Sequence, residues 1–207
     1  DTTGGESHRY SLSLDAWSRH DGRGWSALAY AIDYQLDLIS NFTYVLDQDN
    51  GDQFEQYDSR RVYGGHFEYD LPASLNSRDG ALRAGAELRM DDVAPVALYR
   101  TVARERFETI RRDDVRQGQY SAYAIHHQRW NDWLRTEAGL RFDYLDFSVD
   151  SDLPANSGDE TDSIVGPKLT VVLGPWAETE FFLNAGRGFH TNDARGTAAT
   201  PLLVTIS

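Results

Sequence analysis

The chain has 207 residues and a formal net charge of -13, with 33 acidic against 20 basic side chains and no cysteine. The excess of acid repels phosphate backbones and argues against a nucleic-acid partner. The missing thiols exclude disulfides and cysteine chemistry. A mean hydropathy of -0.57 is too polar for a bundle of membrane helices, and no run approaches the roughly 18 apolar residues that a spanning helix needs. A β-barrel escapes both tests, because only every second residue of its strands meets lipid. The chain opens Asp1-Thr2-Thr3-Gly4-Gly5, without the basic and apolar stretches of a secretory signal.

Alternation of apolar and polar residues predicts about ten strands. The first runs from about Tyr10 to Trp17, with Tyr10, Leu12, Leu14 and Ala16 on one face. A compact link, His20-Asp21-Gly22-Arg23-Gly24, follows. Strand two runs from about Trp25 to Tyr34, with Leu28, Tyr30, Ile32 and Tyr34 opposite Ala27, Ala29, Ala31 and Asp33. A reversal is predicted near Tyr34-Gln35. Strand three then presents Leu36, Leu38, Phe42, Tyr44 and Leu46 against Asp37, Asn41 and Thr43.

A long polar loop is expected from Asp47 to Arg60. Strand four presents Phe67, Tyr69 and Leu71 against His66, Glu68 and Asp70. The link Pro72 to Asp79 is built of turn residues. Strand five sets Leu82, Ala84, Ala86, Leu88 and Met90 against Arg83, Glu87, Arg89 and Asp91. The longest link, Asp92 to Gly118, has room for a hairpin of its own.

Strand six, about Gln119 to Arg129, alternates less cleanly, and Trp130-Asn131-Asp132-Trp133 turns the chain. Strand seven is the clearest. Leu134, Thr136, Ala138, Leu140, Phe142 and Tyr144 point one way, and Arg135, Glu137, Gly139, Arg141 and Asp143 the other. An acidic loop is expected from Asp150 to Asp162. Strand eight covers about Ile164 to Leu173, Gly174-Pro175-Trp176 turns, and strand nine runs from about Thr179 to Phe189. A tenth would lie in the longest link or in Leu202 to Ile206.

Links after strands two, four, six and eight are short. Those after the odd-numbered strands are long, except the compact first. Outer-membrane barrels rotate their links in this way, with short periplasmic turns and longer outside loops. Aromatics gather at strand ends, at Trp17, Trp25, Tyr34, Tyr69, Trp130, Trp133 and Trp176. This is the girdle expected at two membrane interfaces.

The segments Gly166-Pro167-Lys168-Leu169 and Gly186-Arg187-Gly188-Phe189-His190-Thr191-Asn192-Asp193-Ala194-Arg195-Gly196 resemble the barrel of TonB-dependent outer-membrane receptors. The resemblance implies a barrel of about 22 strands with a plug in its lumen. It also implies uptake of a scarce nutrient such as a ferric siderophore, haem, cobalamin, another metal chelate or a carbohydrate. The implied partners are outer-membrane lipid and lipopolysaccharide, a plug domain and TonB outside this chain, and the small nutrient ligand. The implied location is the bacterial outer membrane. The chain lacks a plug, a TonB box and a terminal aromatic strand. Residues 1–207 are therefore expected to be an all-β, antiparallel internal piece of a transmembrane barrel wall. The alternatives are a small complete barrel, acting as porin, adhesin or enzyme, and a soluble all-β binding domain.

No catalytic, cofactor-binding or metal-binding residue is expected. Hydrolase and phosphate-loop motifs are absent. Asp47-Gln48-Asp49-Asn50-Gly51-Asp52 lacks EF-hand spacing, because Gly51 stands where a ligand belongs. It is expected to be a solvated outside loop, as are Asp150, Asp152, Asp159, Glu160 and Asp162. Adjacent His126 and His127 point to opposite faces and cannot share a metal. His190 has no partner in sequence for a haem. Arg83, Glu87, Arg89, Arg135, Glu137, Arg141 and Asp143 are expected to face the lumen as cross-strand charge ladders that contact the plug.

Overall fold

A computed structural model describes residues 3–188 except 46 and 50. These residues form one antiparallel sheet of eight strands in simple sequence order. The strands are β1 (Gly4–His20), β2 (Arg23–Asn41), β3 (Gln53–Pro72), β4 (Gly80–Val102), β5 (Glu105–Arg129), β6 (Leu134–Ser151), β7 (Gly158–Trp176) and β8 (Thr179–Gly186). Apart from one 3-10 turn, Pro154–Asn156, no helix occurs among the described residues. Within them the sheet is open, and β1 does not pair with β8.

The expected ten strands are eight. No reversal occurs at Tyr34-Gln35; β2 passes through both residues as one strand of 19. The physical reason is visible in the chain: no Gly, Pro or Asn interrupts this stretch, and the even-numbered apolar series from Leu28 to Leu38 keeps its phase. The link from Asp92 to Gly118 is the suspected hairpin, made by β4 and β5 running on to a two-residue turn at Ala103-Arg104. The expected loops 47–60 and 150–162 are largely strand as well, since β3 starts at Gln53 and β7 at Gly158. Leu46, the end of predicted strand nine at Phe189, the motif residues from 189 to 196 and the segment Leu202 to Ile206 lie outside the described residues.

Fusing predicted strands two and three moves the compact first link to the other edge, while the opposite edge, with links 42–52 and 152–157, also holds the two-residue turn Ala103-Arg104. The compact Asp21-Gly22 turn now falls on the same edge as 73–79, 130–133 and 177–178. Asp21 and Gly22 both have positive φ, 49° and 75°. An Asp-Gly pair adopts that geometry readily, and it matches the twist of a hairpin. At the next turns on this edge, side chains close the backbone. The Gln128 carboxamide accepts from Leu75 N at 3.2 Å and donates to Asp79 O at 3.2 Å. Asn131 Oδ1 accepts from Trp133 N and Leu134 N at 3.0 and 2.8 Å, as Asn does in Asx turns.

The registers define two faces. Leu14, Ala29, Gly65, Leu88, Tyr120 and Tyr144 share one row on what we call the outer face. One residue along, Asp15, Leu28, His66, Glu87, Ser121 and Asp143 share a row on the inner face. Leu14 is 72% exposed and Leu140 56%, whereas Ser121 is 6% and Asp143 1%. Trp25, Tyr69, Trp133 and Trp176 sit near the short-turn ends, with Trp133 and Trp176 stacked at 6.0 Å. Two expected girdle members do not belong there. Trp17 shares the inner row of Ser26 and Glu68, and Tyr34 opposes Arg60 beneath its guanidinium.

Higher along the strands the sidedness inverts. Asp33, Arg61, Asp92, Arg116 and Ser148 form an outer row of charge and polarity. Tyr34, Arg60, Val93, Val115 and Val149 form the adjacent inner row. Val93, Val115, Leu145, Phe147 and Val149 pack there into the buried core of the described chain. In β6 the change falls between Tyr144 and Leu145. Over the eleven residues from Leu134 to Tyr144 the outward side chains are Leu134, Thr136, Ala138, Leu140, Phe142 and Tyr144, and eleven residues is the length needed to cross a bilayer as a tilted strand. Beyond it the outward positions are Asp146, Ser148 and Asp150.

Candidate functional site at the inner wall

Inside the sheet, below the inversion, the charged groups of the wall from β3 to β8 are already paired. Arg83 donates to Asp70 through two nitrogens at 2.8 and 3.1 Å. Arg89 grips Asp91 at 2.8 and 2.9 Å. Arg141 links three strands: it donates to Glu87 on β4 at 2.6 Å, to Ser121 Oγ on β5 at 2.8 Å and to Asp143 on its own strand at 2.9 Å. Ser121 donates in turn to Asp143 at 2.6 Å. Arg135 binds Glu180, and Lys168 binds Glu137. All seven residues expected to line the lumen therefore face inward, and all but Arg89, which pairs with Asp91 on its own strand, take part in contacts between strands. Charged and bidentate pairs of this kind are stronger than neutral hydrogen bonds, and a wet inner face removes most of their desolvation cost.

Sequence patterning missed the tyrosines and glycines of this wall. Tyr30 opposes Gly64 and Tyr123 opposes Gly85 on the inner face. Each ring lies over its glycine so closely that a Cβ on Gly64 would sit 2.3 Å from Tyr30, and one on Gly85 2.5 Å from Tyr123. The Tyr123 hydroxyl is thereby held 2.6 Å from Glu68, to which it donates. The visible signal is an inward aromatic whose partner strand carries Gly at the matching position.

Between β5 and β8 the inner wall is hollowed into a groove of about 640 Å³. Gly139, Gly166 and Gly186 form its floor, and Arg83, Arg141 and Lys168 stand at its rim. Gly166 and Lys168 come from the segment singled out in the sequence, and Gly186 opens the second one.

The histidines are apart, as expected. His126 lies on the outer face with Nε2 at 2.9 Å from the carbonyl of Ala73. His127 lies inside, 3.3 Å from Glu137. The acidic loop between β2 and β3 is organised by its own carboxylate. Asp52 accepts from the backbone N of Val45 at 2.9 Å and of Asp47 at 3.0 Å, and from the Thr43 hydroxyl. Its oxygens are thus committed to the loop's backbone, which fits a structural loop better than a calcium site. Among the described residues no group of three or more His, Cys, Asp or Glu is placed to hold a metal ion.

At the upper end of the outer face a second charged group forms. Arg106 on β5 reaches across β4 to a bidentate pair with Glu55 on β3, one contact being 2.7 Å. On the way its guanidinium covers the Tyr99 ring at 4.1 Å. Burial, and next the neighbouring Glu55 carboxylate, push Asp37 above its ordinary pKa.

Comparison with known proteins reveals one family. The family described as TonB dependent receptor-like, beta-barrel, matches residues 1–203. No curated protein matches the chain significantly. A solved structure, the ferric citrate transporter FecA in the unliganded form, superposes with a TM-score of 0.73 at 10% sequence identity. The match covers 87% of this chain and 27% of that one. The chain thus spans about a quarter of the length of the structure it resembles, and the likeness concerns the fold.

Proposed function

The chain belongs to the TonB-dependent receptor β-barrel family, and on that premise we propose that it forms one sector of the barrel wall of an outer-membrane receptor that takes up a scarce nutrient. A single observation carries this reading: apart from β2, whose Leu28, Tyr30 and Ile32 face inward, the sheet is apolar outward and carries salt bridges inward over one bilayer thickness, and then exchanges its two sides. A soluble β-domain has no reason to do this, because its apolar face must be covered along its whole length. The residues above the inversion are the outside part, and the short-turn edge is periplasmic.

The nutrient in this proposal is a ferric chelate, haem or another metal chelate. FecA, by its name, carries ferric citrate, so ferric citrate leads the candidates to be tried. The remaining strands, a plug and TonB complete the machine outside these residues. Lipid and lipopolysaccharide surround it. The wall sector contributes no catalytic group to this function.

The test is energised uptake. The full-length protein, expressed in cells lacking their own receptors, should fractionate with the outer membrane. It should also import radiolabelled iron as ferric citrate or as a siderophore complex, with uptake abolished by an uncoupler. A protein found in the soluble fraction, or one that imports no chelate in energised cells, would overturn the proposal.

A further inference from the structure

We propose that Arg61 and Arg116, on the outer face just above the apolar belt, bind phosphate headgroups of the outer leaflet. The inference rests on the membrane reading above and adds a lipid site to it. Its first support is height. Tyr63 and Met90 pair at the top of the apolar belt, and Arg61 and Asp92 pair two residues above them. Asp92 pairs in turn with Arg116 on β5. Two residues of strand advance about 7 Å, or about 5 Å along the membrane normal at a tilt of about 45°. A bilayer of about 40–45 Å holds about 30 Å of hydrocarbon, which leaves a headgroup layer of about 5–7 Å on each side. The first charged row therefore lies among headgroups, above the acyl chains and below bulk water.

The second support is what these two cations leave unbound. On the inner wall Arg83 and Arg89 each commit two nitrogens to one carboxylate, at 3.1 Å or less. On the outer row Arg61 reaches Asp33 only through Nε, at 3.4 Å, and Arg116 comes no nearer to Asp92 than 3.9 Å, also through Nε. Their side chains are 67% and 81% exposed. A guanidinium carries five N–H donors in a planar fork that matches phosphate, and both forks end outward with their terminal nitrogens open. The two arginines lie two strands apart, about 10 Å, a span that one bulky headgroup can bridge. The carboxylates beside them suit the same surface. Asp33, Arg61, Asp92 and Arg116 alternate in sign along the row. A leaflet of lipid phosphates alternates likewise with its divalent counterions, which are hard cations that take carboxylate oxygen.

The test uses the full-length protein, purified in detergent and stripped of lipid, and titrated with fluorescent lipid A in the presence of magnesium. The double variant Arg61→Gln, Arg116→Gln should bind lipid A at least tenfold more weakly than the wild type, with its heat-modifiable migration unchanged. Arg61→Lys with Arg116→Lys, which keeps the charge and loses the fork, should recover part of the affinity. Arg78→Gln, in a turn at the opposite edge, should bind as the wild type does. Lipid A stripped of its phosphates should bind the wild type no better than the double variant. Millimolar inorganic phosphate should not displace lipid A, because it has no acyl chains to hold it at this height. Wild-type affinity in the double glutamine variant overturns the site, and displacement by inorganic phosphate overturns the lipid as its occupant. Either result leaves the uptake reading standing if the protein still enters the outer membrane and imports its chelate. A full-length protein found in the soluble fraction overturns both.

Discussion

The lower and upper parts of the same strands place their apolar side chains on opposite faces. Between the short turns and the row of Tyr63 and Met90, the outer face carries Leu, Ala, Phe and Tyr, and the inner face carries paired charges except on β2, where Leu28, Tyr30 and Ile32 face inward. Above that row Val93, Val115, Leu145, Phe147 and Val149 turn inward and bury themselves, while Asp33, Arg61, Asp92 and Arg116 turn outward. The register of β6 runs through the change without a shift. What differs is the medium. On the proposed reading lipid solvates the outer face of the lower part, so the inner one is free to be wet. In the upper part, on the same reading, water lies outside, and the main apolar core forms on the inner side, while Ala97 and Tyr99 are buried on the outer side around Glu55 and Arg106.

The largest expected effect breaks that contrast directly. Leu140→Arg places a charge on the lipid side at mid-span and should cost about 2–4 kcal/mol and block assembly. Asp150→Arg, also outward but above the inversion, should assemble normally, because the new cation meets Asp114 across the strand pair. Heat-modifiable migration of the outer-membrane protein on a gel reads both. Equal behaviour of the two would put the boundary elsewhere.

A middle-sized effect tests the upper core. Phe147→Ala should lose about 3 kcal/mol, because Phe147 is buried and the cavity has no solvent to fill it. Phe142→Ala, lipid-facing, should lose less, since acyl chains occupy the space. Urea midpoints of the two variants in detergent should therefore differ in that order.

The smallest effect concerns protons at the outer end. Asp37 has a raised pKa, so its ionisation opposes folding above that pKa and the opposition is absent below it. Asp37→Asn should slow local opening of the upper β2–β3 pairing at neutral pH, read by hydrogen exchange. The gain should vanish as the pH falls through the carboxylate range. A gain that persists in acid would assign it to something other than titration.

Sequence patterning reached the wall but misjudged its height. The stretch from Leu134 to Tyr144 and the inward placement of Arg83, Glu87 and Arg141 were legible, because lipid on one side and water on the other write a clean period of two. Above the inversion both faces carry mixed residues. Segments such as Gln53 to Arg60 therefore read as loop although they are hydrogen-bonded strand. The turn predicted near Tyr34-Gln35 does not form, because β2 runs on past a spanning length of about ten residues to Asn41. The groove was legible only as three separate glycines. Their common floor depends on registers between strands, which no local pattern contains.

The loop from Phe42 to Asp52 is closed by one side chain. Asp52 returns to Thr43, Val45 and Asp47, and Asp52 N binds the Thr43 carbonyl at 2.8 Å. The entropy of bringing the loop's ends together is spent at that clasp, and the cost of a longer tip grows only with the logarithm of its length. The tip residues Gln48 and Asp49 are therefore free to drift in sequence and length while the barrel beneath them stays the same. A wall built this way can vary the surface of its loop without renegotiating its fold.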